Sequence, residues 1–131
     1  MEDVRLILLA LWVAVNFCLV FAAILGNYKP GHLKGMIEGE VDGIKTTQGV
    51  VVGNAIMMAI QSVMVFLSLI LPYPIISWVN IILGIFFIGV VFMTLAYYFT
   101  HKIQTWVYYY VFVVTEIVLY GLIVWYAWVW V

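Results

Sequence analysis

Residues 75–99 read IISWVNIILGIFFIGVVFMTLAYYF, and no charged side chain interrupts them. The hydrocarbon core of a bilayer is about 30 Å thick and takes about 20 apolar residues of α-helix to cross, so this segment has the length and composition of a membrane span. Every residue between Lys45 and Lys102 is likewise uncharged, and Pro72-Tyr73-Pro74 divides that interval in two, because proline lacks a backbone donor and clashes with the preceding turn of a helix. Two further apolar runs lie before Lys29 and after Lys102. Four spans are therefore expected, at about 4–25, 47–71, 75–99 and 106–129, with a polar loop at 26–46.

The composition of the chain agrees. Of its 131 residues 68% are hydrophobic and 8% charged, against roughly half and a quarter in water-soluble domains. The charged residues keep to the first five positions, to the segment from Lys29 to Lys45, to Lys102 and to Glu116. A net charge of −1 supplies no basic field for nucleic acid and no polybasic cluster for anionic lipid. The lone Cys18, inside the first apolar run, excludes an intramolecular disulfide, a Cys-x-x-Cys pair and a thiolate zinc site; it reads as a small buried apolar residue. That first run is too long for a secretion signal and its flank, Glu2-Asp3-Val4-Arg5, is not basic, so it reads as a retained span.

The connections carry the stop signals that helices need. Gly26-Asn27-Tyr28-Lys29-Pro30-Gly31 ends the first span. Leu33, Met36 and Ile37 then have the spacing of a short amphipathic helix lying on the membrane surface, followed by a turn through Gly39 to Gly43. Thr46 and Thr47 suit the N-cap of the second span, and Thr100 to Thr105 make a short turn before the fourth. Short connections between long helices imply antiparallel neighbours, so the expected fold is all-α, an integral membrane four-helix up-down-up-down bundle with a short interfacial helix in loop one. Aromatic residues gather at two levels, as interfacial anchoring requires: Tyr28, Tyr97, Tyr98, Trp106 and Tyr108 to Tyr110 at one, and Tyr73, Trp78, Trp125, Tyr126, Trp128 and Trp130 at the other. Lys29, Lys34, Lys45 and Lys102 lie on the side of loops one and three and only Arg5 on the opposite side, which makes loops one and three cytoplasmic in a multi-pass protein of the cell membrane.

Certain strings resemble a known group: Gly43-Ile44 followed by Thr47-Gln48-Gly49, then Asn80-Ile81-Ile82 and Gly84, Glu116-Ile117, and the closing Ile123-Val124-Trp125-Tyr126-Ala127-Trp128. They are similar to a family of small prokaryotic four-helix membrane proteins known as a domain of unknown function. The resemblance covers nearly the whole chain and implies a fold and a prokaryotic membrane, with no activity attached. Two positions depart from it. Ala23 stands where the family has an acidic residue, and Pro72 to Ser77 where it has basic ones.

An ionisable side chain at the bilayer centre costs roughly 2.5–3.5 kcal/mol on insertion scales, so Glu116, near the middle of the fourth span, needs a reason to be there. One reading is proton or cation coupling, or capture of a cationic group. The other is a neutral, protonated carboxyl hydrogen-bonded to a neighbouring helix. At about 1.5 Å per residue Glu116 lies about 15 Å from the loop-one side, level with Asn16 and Met57, with Gln61 about one turn deeper. Asn16 and Gln61 can each donate an amide N–H to a carboxylate or accept from a protonated carboxyl, and are its expected partners. Asn54, Gln61 and Ser68 recur at intervals of seven on the second span and form one polar, inward stripe. Met57, Met58 and Met64 on the same helix read as adaptable lining or core filler. Gly49-x-x-x-Gly53 permits close approach of another helix, within the bundle or from a second protomer. Asn80 enters too far from Glu116 to touch it and is expected to cap or crosslink the loop-two end, while Thr94 and Thr115 are expected to bond carbonyls of their own helices. His32 and His101 flank the loops without metal-ligand spacing, so no metal site and no cofactor is expected.

Three functions follow, in order. The first is a bundle, alone or as a homo-oligomer, that binds or moves a small amphipathic or cationic molecule or lipid around Glu116, with Asn16, Gln61, Asn54 and Met57 about it. The span count is similar to that of the small multidrug resistance transporters, although their key acid lies on the first helix. The alternative is a structural or accessory subunit of a larger membrane complex. A membrane enzyme ranks last, because loop one offers no paired nucleophile and base.

Overall fold

The structure, a computed structural model, describes residues 2–28, 30–41, 44–101 and 107–130. Four long helices carry the chain: α1 (Glu2–Gly26), α3 (Gln48–Ile70), α4 (Ile75–Thr100) and α5 (Val107–Trp130). They hold 25, 23, 26 and 24 residues, which at about 1.5 Å per residue is enough to cross a core of about 30 Å. All four are long and apolar enough to span a membrane, and the chain is an all-α, multi-pass membrane protein by that measure.

The boundaries follow the local chemistry. Thr47 Oγ1 accepts from the backbone N–H of Val50 at 3.2 Å and caps α3, answering one of the unpaired donors of its first turn. The α3 helix ends at the Pro72-Tyr73-Pro74 turn, whose Tyr73–Pro74 bond is cis. Loop one contains the expected short helix, α2 (His32–Ile37), with Leu33, Met36 and Ile37 exposed. It also contains a two-stranded ladder where only a turn was expected: β1 (Glu40–Val41) pairs antiparallel with β2 (Ile44–Lys45), in register Glu40 with Lys45 and Val41 with Ile44. Gly39, at φ 85°, leads the chain into it, a conformation that costs glycine little. Trp106 and most of the expected turn at 100–105 fall outside the described residues.

Because lipid tails are as apolar as leucine, these helices associate through close packing and hydrogen bonds rather than through the hydrophobic effect. The closely packed pairs are α1 with α3, α1 with α5, and α4 with α5. Trp12 of α1 lies at the centre, wholly buried, with its ring edge toward Phe87 and Tyr120 at centroid distances of 6.2 and 6.1 Å; Phe87 and Tyr120 stack at 5.7 Å. Its indole Nε1 donates to Asn80 Oδ1 at 2.7 Å, and Asn80 Nδ2 donates back to the carbonyl of Ile76 at 2.8 Å. Asn80 thus crosslinks α4 to α1. Gly84 lets α4 meet α5, since a Cβ there would stand 2.6 Å from Val124 Cγ2.

The loop-two end is tied together. Arg5 donates to the carbonyls of Ser68, Leu69 and Leu71 at 3.3, 3.2 and 2.8 Å, closing carbonyls that a helix C-terminus leaves unpaired. Its guanidinium also lies 5.3 Å from the Trp130 ring centroid, and Tyr73 Oη donates to the Trp130 carbonyl at 3.2 Å. The opposite end is different. Tyr98 meets Tyr109 edge-on at 5.0 Å, which holds α4 to α5, but α3 and α4 are not a closely packed pair although they are consecutive. The Gly49-x-x-x-Gly53 surface takes no helix within the chain: among the described residues nothing lies within 4 Å of a Cβ placed on Gly53.

Candidate functional site

The gap between α3 and α4 holds two adjoining cavities. The inner one, about 350 Å³, is lined by Asn54, Met57, Met58 and Gln61 from α3, by Phe87, Val90 and Thr94 from α4, by Glu116 and Tyr120 from α5, and by Leu19 and Ala22 from α1. The outer one, about 450 Å³, lies toward loop one between Lys45, Thr46, Val50 and Val51 on one side and Met93, Thr94, Tyr97 and Tyr98 on the other. Asn54 and Thr94 line both. Together they form a slot that runs from the loop-one surface to the depth of Glu116.

The residue chemistry of the inner cavity is polar at its floor and apolar along its walls. Glu116 is 7% exposed, and among the described residues no hydrogen bond reaches its carboxyl. Gln61, also buried, accepts through Oε1 from the Tyr120 hydroxyl, while its side-chain N–H groups and the Glu116 carboxyl both lie on the lining of the cavity without a hydrogen bond between them among the described residues. Cys18 and Tyr120 lie within electrostatic reach of Glu116. Met57 and Met58 supply unbranched, polarizable walls that adapt to the shape of an occupant. Met64, the third of that group, belongs to the core instead.

Of the residues singled out in the sequence, Glu116, Gln61, Asn54 and Met57 line one cavity, but Asn54 is exposed whereas Gln61 and Ser68 are buried, so the expected inward stripe does not hold over its first position. Asn16 is the exception. It does not line this cavity and instead joins the seam between α1 and α3, donating through Nδ2 to the carbonyls of Trp12 and Gln61 at 2.7 and 3.1 Å and accepting from Ser62 Oγ at 3.3 Å. Counting residues gives a depth, whereas facing depends on the rotation of α1 about its axis, which here turns Leu8, Trp12 and Val15 into the core. Ser68 Oγ returns to the carbonyl of Met64 at 2.7 Å, and Thr94 and Thr115 bond the carbonyls of Val90 and Val111 at 2.9 and 2.8 Å, as expected of hydroxyls in membrane helices. Tyr120 was not anticipated; its place four residues after Glu116, one helical turn on, was the available signal.

Around the loops, His101 stacks on Tyr97 at 4.1 Å. Among the described residues no group of three or more His, Cys, Asp or Glu side chains gathers as a metal site would require. No curated protein and no solved structure matches the chain. The sequence profile of one family spans residues 1–131, end to end, so the chain belongs to the family of unknown function DUF6326.

Proposed function

We propose that this protein is an up-down-up-down bundle of the cell membrane, with loops one and three cytoplasmic, that binds a small amphipathic molecule whose cationic or hydrogen-bonding group meets Glu116. The observation that carries the reading is the buried Glu116 carboxyl bordering a cavity of about 350 Å³ with no hydrogen-bond partner among the described residues. A carboxyl kept in hydrocarbon is costly unless something pairs with it. An interhelical crosslink would place a donor or acceptor on it from a neighbouring helix; Gln61 and Tyr120 line the same cavity and bond each other, and among the described residues neither bonds Glu116. The volume falls in the range of small-molecule sites, which are mainly apolar with a few polar groups that orient the ligand.

Tetraphenylphosphonium, an amphipathic cation too large for a water-filled defect, is the probe. Equilibrium dialysis against the purified full chain in detergent is expected to show one saturable site, and Glu116→Gln to weaken it at least about tenfold. Binding that survives Glu116→Gln unchanged, or absence of saturable binding in the unaltered protein, overturns the reading and favours a structural subunit.

A further inference from the structure

The slot has an entrance as well as a floor. Its outer cavity opens where α3 and α4 fail to close on each other, and the residues there change character along the helix axis. At the loop-one level stand Lys45 and Thr46, with Tyr97 and Tyr98 across the gap; below them come Val50, Val51 and Met93. A cation and amphipathic rings at headgroup depth, above an apolar trough between two spanning helices, match the two halves of a membrane lipid. Lys45 stands opposite Glu40 in the ladder, yet among the described residues no ion pair joins them. From Thr46 to Gln61 the chain rises about 20 Å, long enough to take the upper part of an acyl chain.

We infer that the outer cavity is a lateral opening in which one anionic phospholipid of the bilayer seats its phosphate against Lys45 and lays an acyl chain between α3 and α4. The inference rests on the proposed reading only in taking this route to lead toward Glu116. Entry is sideways from the lipid, so the molecules reaching the inner cavity are those already dissolved in the membrane.

Native mass spectrometry of the full chain in detergent tests this, with phosphatidylglycerol, phosphatidylcholine or inorganic phosphate added. The unaltered protein is expected to hold one phosphatidylglycerol in preference to phosphatidylcholine. Lys45→Gln weakens the anionic lipid about fivefold, as one lysine at the membrane surface would, and removes the preference, while Lys45→Arg restores it. Thr94→Phe, which fills the junction of the two cavities, weakens both lipids at least tenfold; circular dichroism checks that each variant remains helical. Equal retention of both lipids in the unaltered protein and in Lys45→Gln overturns the inference. So does displacement of the lipid by millimolar inorganic phosphate, which would make the site a phosphate site without a chain. The two proposals separate cleanly: Lys45-dependent lipid retention without phosphonium binding sinks the Glu116 reading alone, and Glu116-dependent phosphonium binding without lipid preference sinks this one alone.

Discussion

Trp12 and Asn80 are 68 positions apart in the chain and meet at 2.7 Å. In hydrocarbon neither group has water to fall back on, so removing one strands the other. Trp12→Phe is expected to lower stability in detergent by about 1–2 kcal/mol, and a double-mutant cycle with Asn80→Leu to give a coupling of about 0.5–2 kcal/mol; additive losses would mean that the hydrogen bond contributes nothing. Ser77 presents the converse case. Its hydroxyl is wholly buried without a hydrogen-bond partner among the described residues, so Ser77→Ala is expected to leave the protein as stable or up to about 1 kcal/mol more stable in the same unfolding assay. The Trp12–Asn80 pair was illegible in the sequence because Trp12 sits in a run of apolar residues that gives no sign of which way the helix turns. The same missing rotation is why the seam that Asn16 joins, between α1 and α3, could not be read from residue counting. Glu116 and Gln61 stood out because a carboxyl and an amide in uncharged spans announce themselves by type alone, but the bond expected between them is not formed: Gln61 takes Tyr120 instead.

At the level of elements, boundaries were easier to read than contacts. Proline at 72 and 74 and threonine at 47 act on their own backbone neighbourhood, so their effect needs no knowledge of the partner. The β1–β2 ladder went unseen because four short positions among glycines carry no alternating pattern. The separation of α3 from α4 went unseen for a different reason: a tight turn ties only the ends it joins. Where α4 does close on a neighbour, the cause is one missing side chain. Gly84→Ala places a Cβ 2.6 Å from Val124 Cγ2, and is expected to cost about 1–3 kcal/mol. Val124→Ala in the same chain should recover most of that loss; a Gly84→Ala protein that melts with the unaltered one would show that the helices have slack at this level.

Across the whole molecule the two ends of the bundle are unlike. One is bound by Arg5, Tyr73 and Trp130, and the other parts to make the slot. Arg5→Gln is expected to lower the midpoint of thermal unfolding in detergent while helix content by circular dichroism stays the same, because the substitution removes a bridge between helices and no helix residue's own bond. An unchanged midpoint would make the bridge a surface ornament. The arrangement has a mechanical side. α3 packs on α1 along one flank and is tied to Arg5 beside the prolines, so its far half is held on one side and open to α4 on the other. Displacing it outward would break no hydrogen bond within a helix, but would draw on two ties, the α1–α3 seam and the Gln61–Tyr120 bond from α3 to α5. Asn16, which lines neither cavity, is then a remote control on the gap: Asn16→Leu, which removes its bonds to Gln61 and Ser62, is a substitution outside the slot that bears on the slot's width.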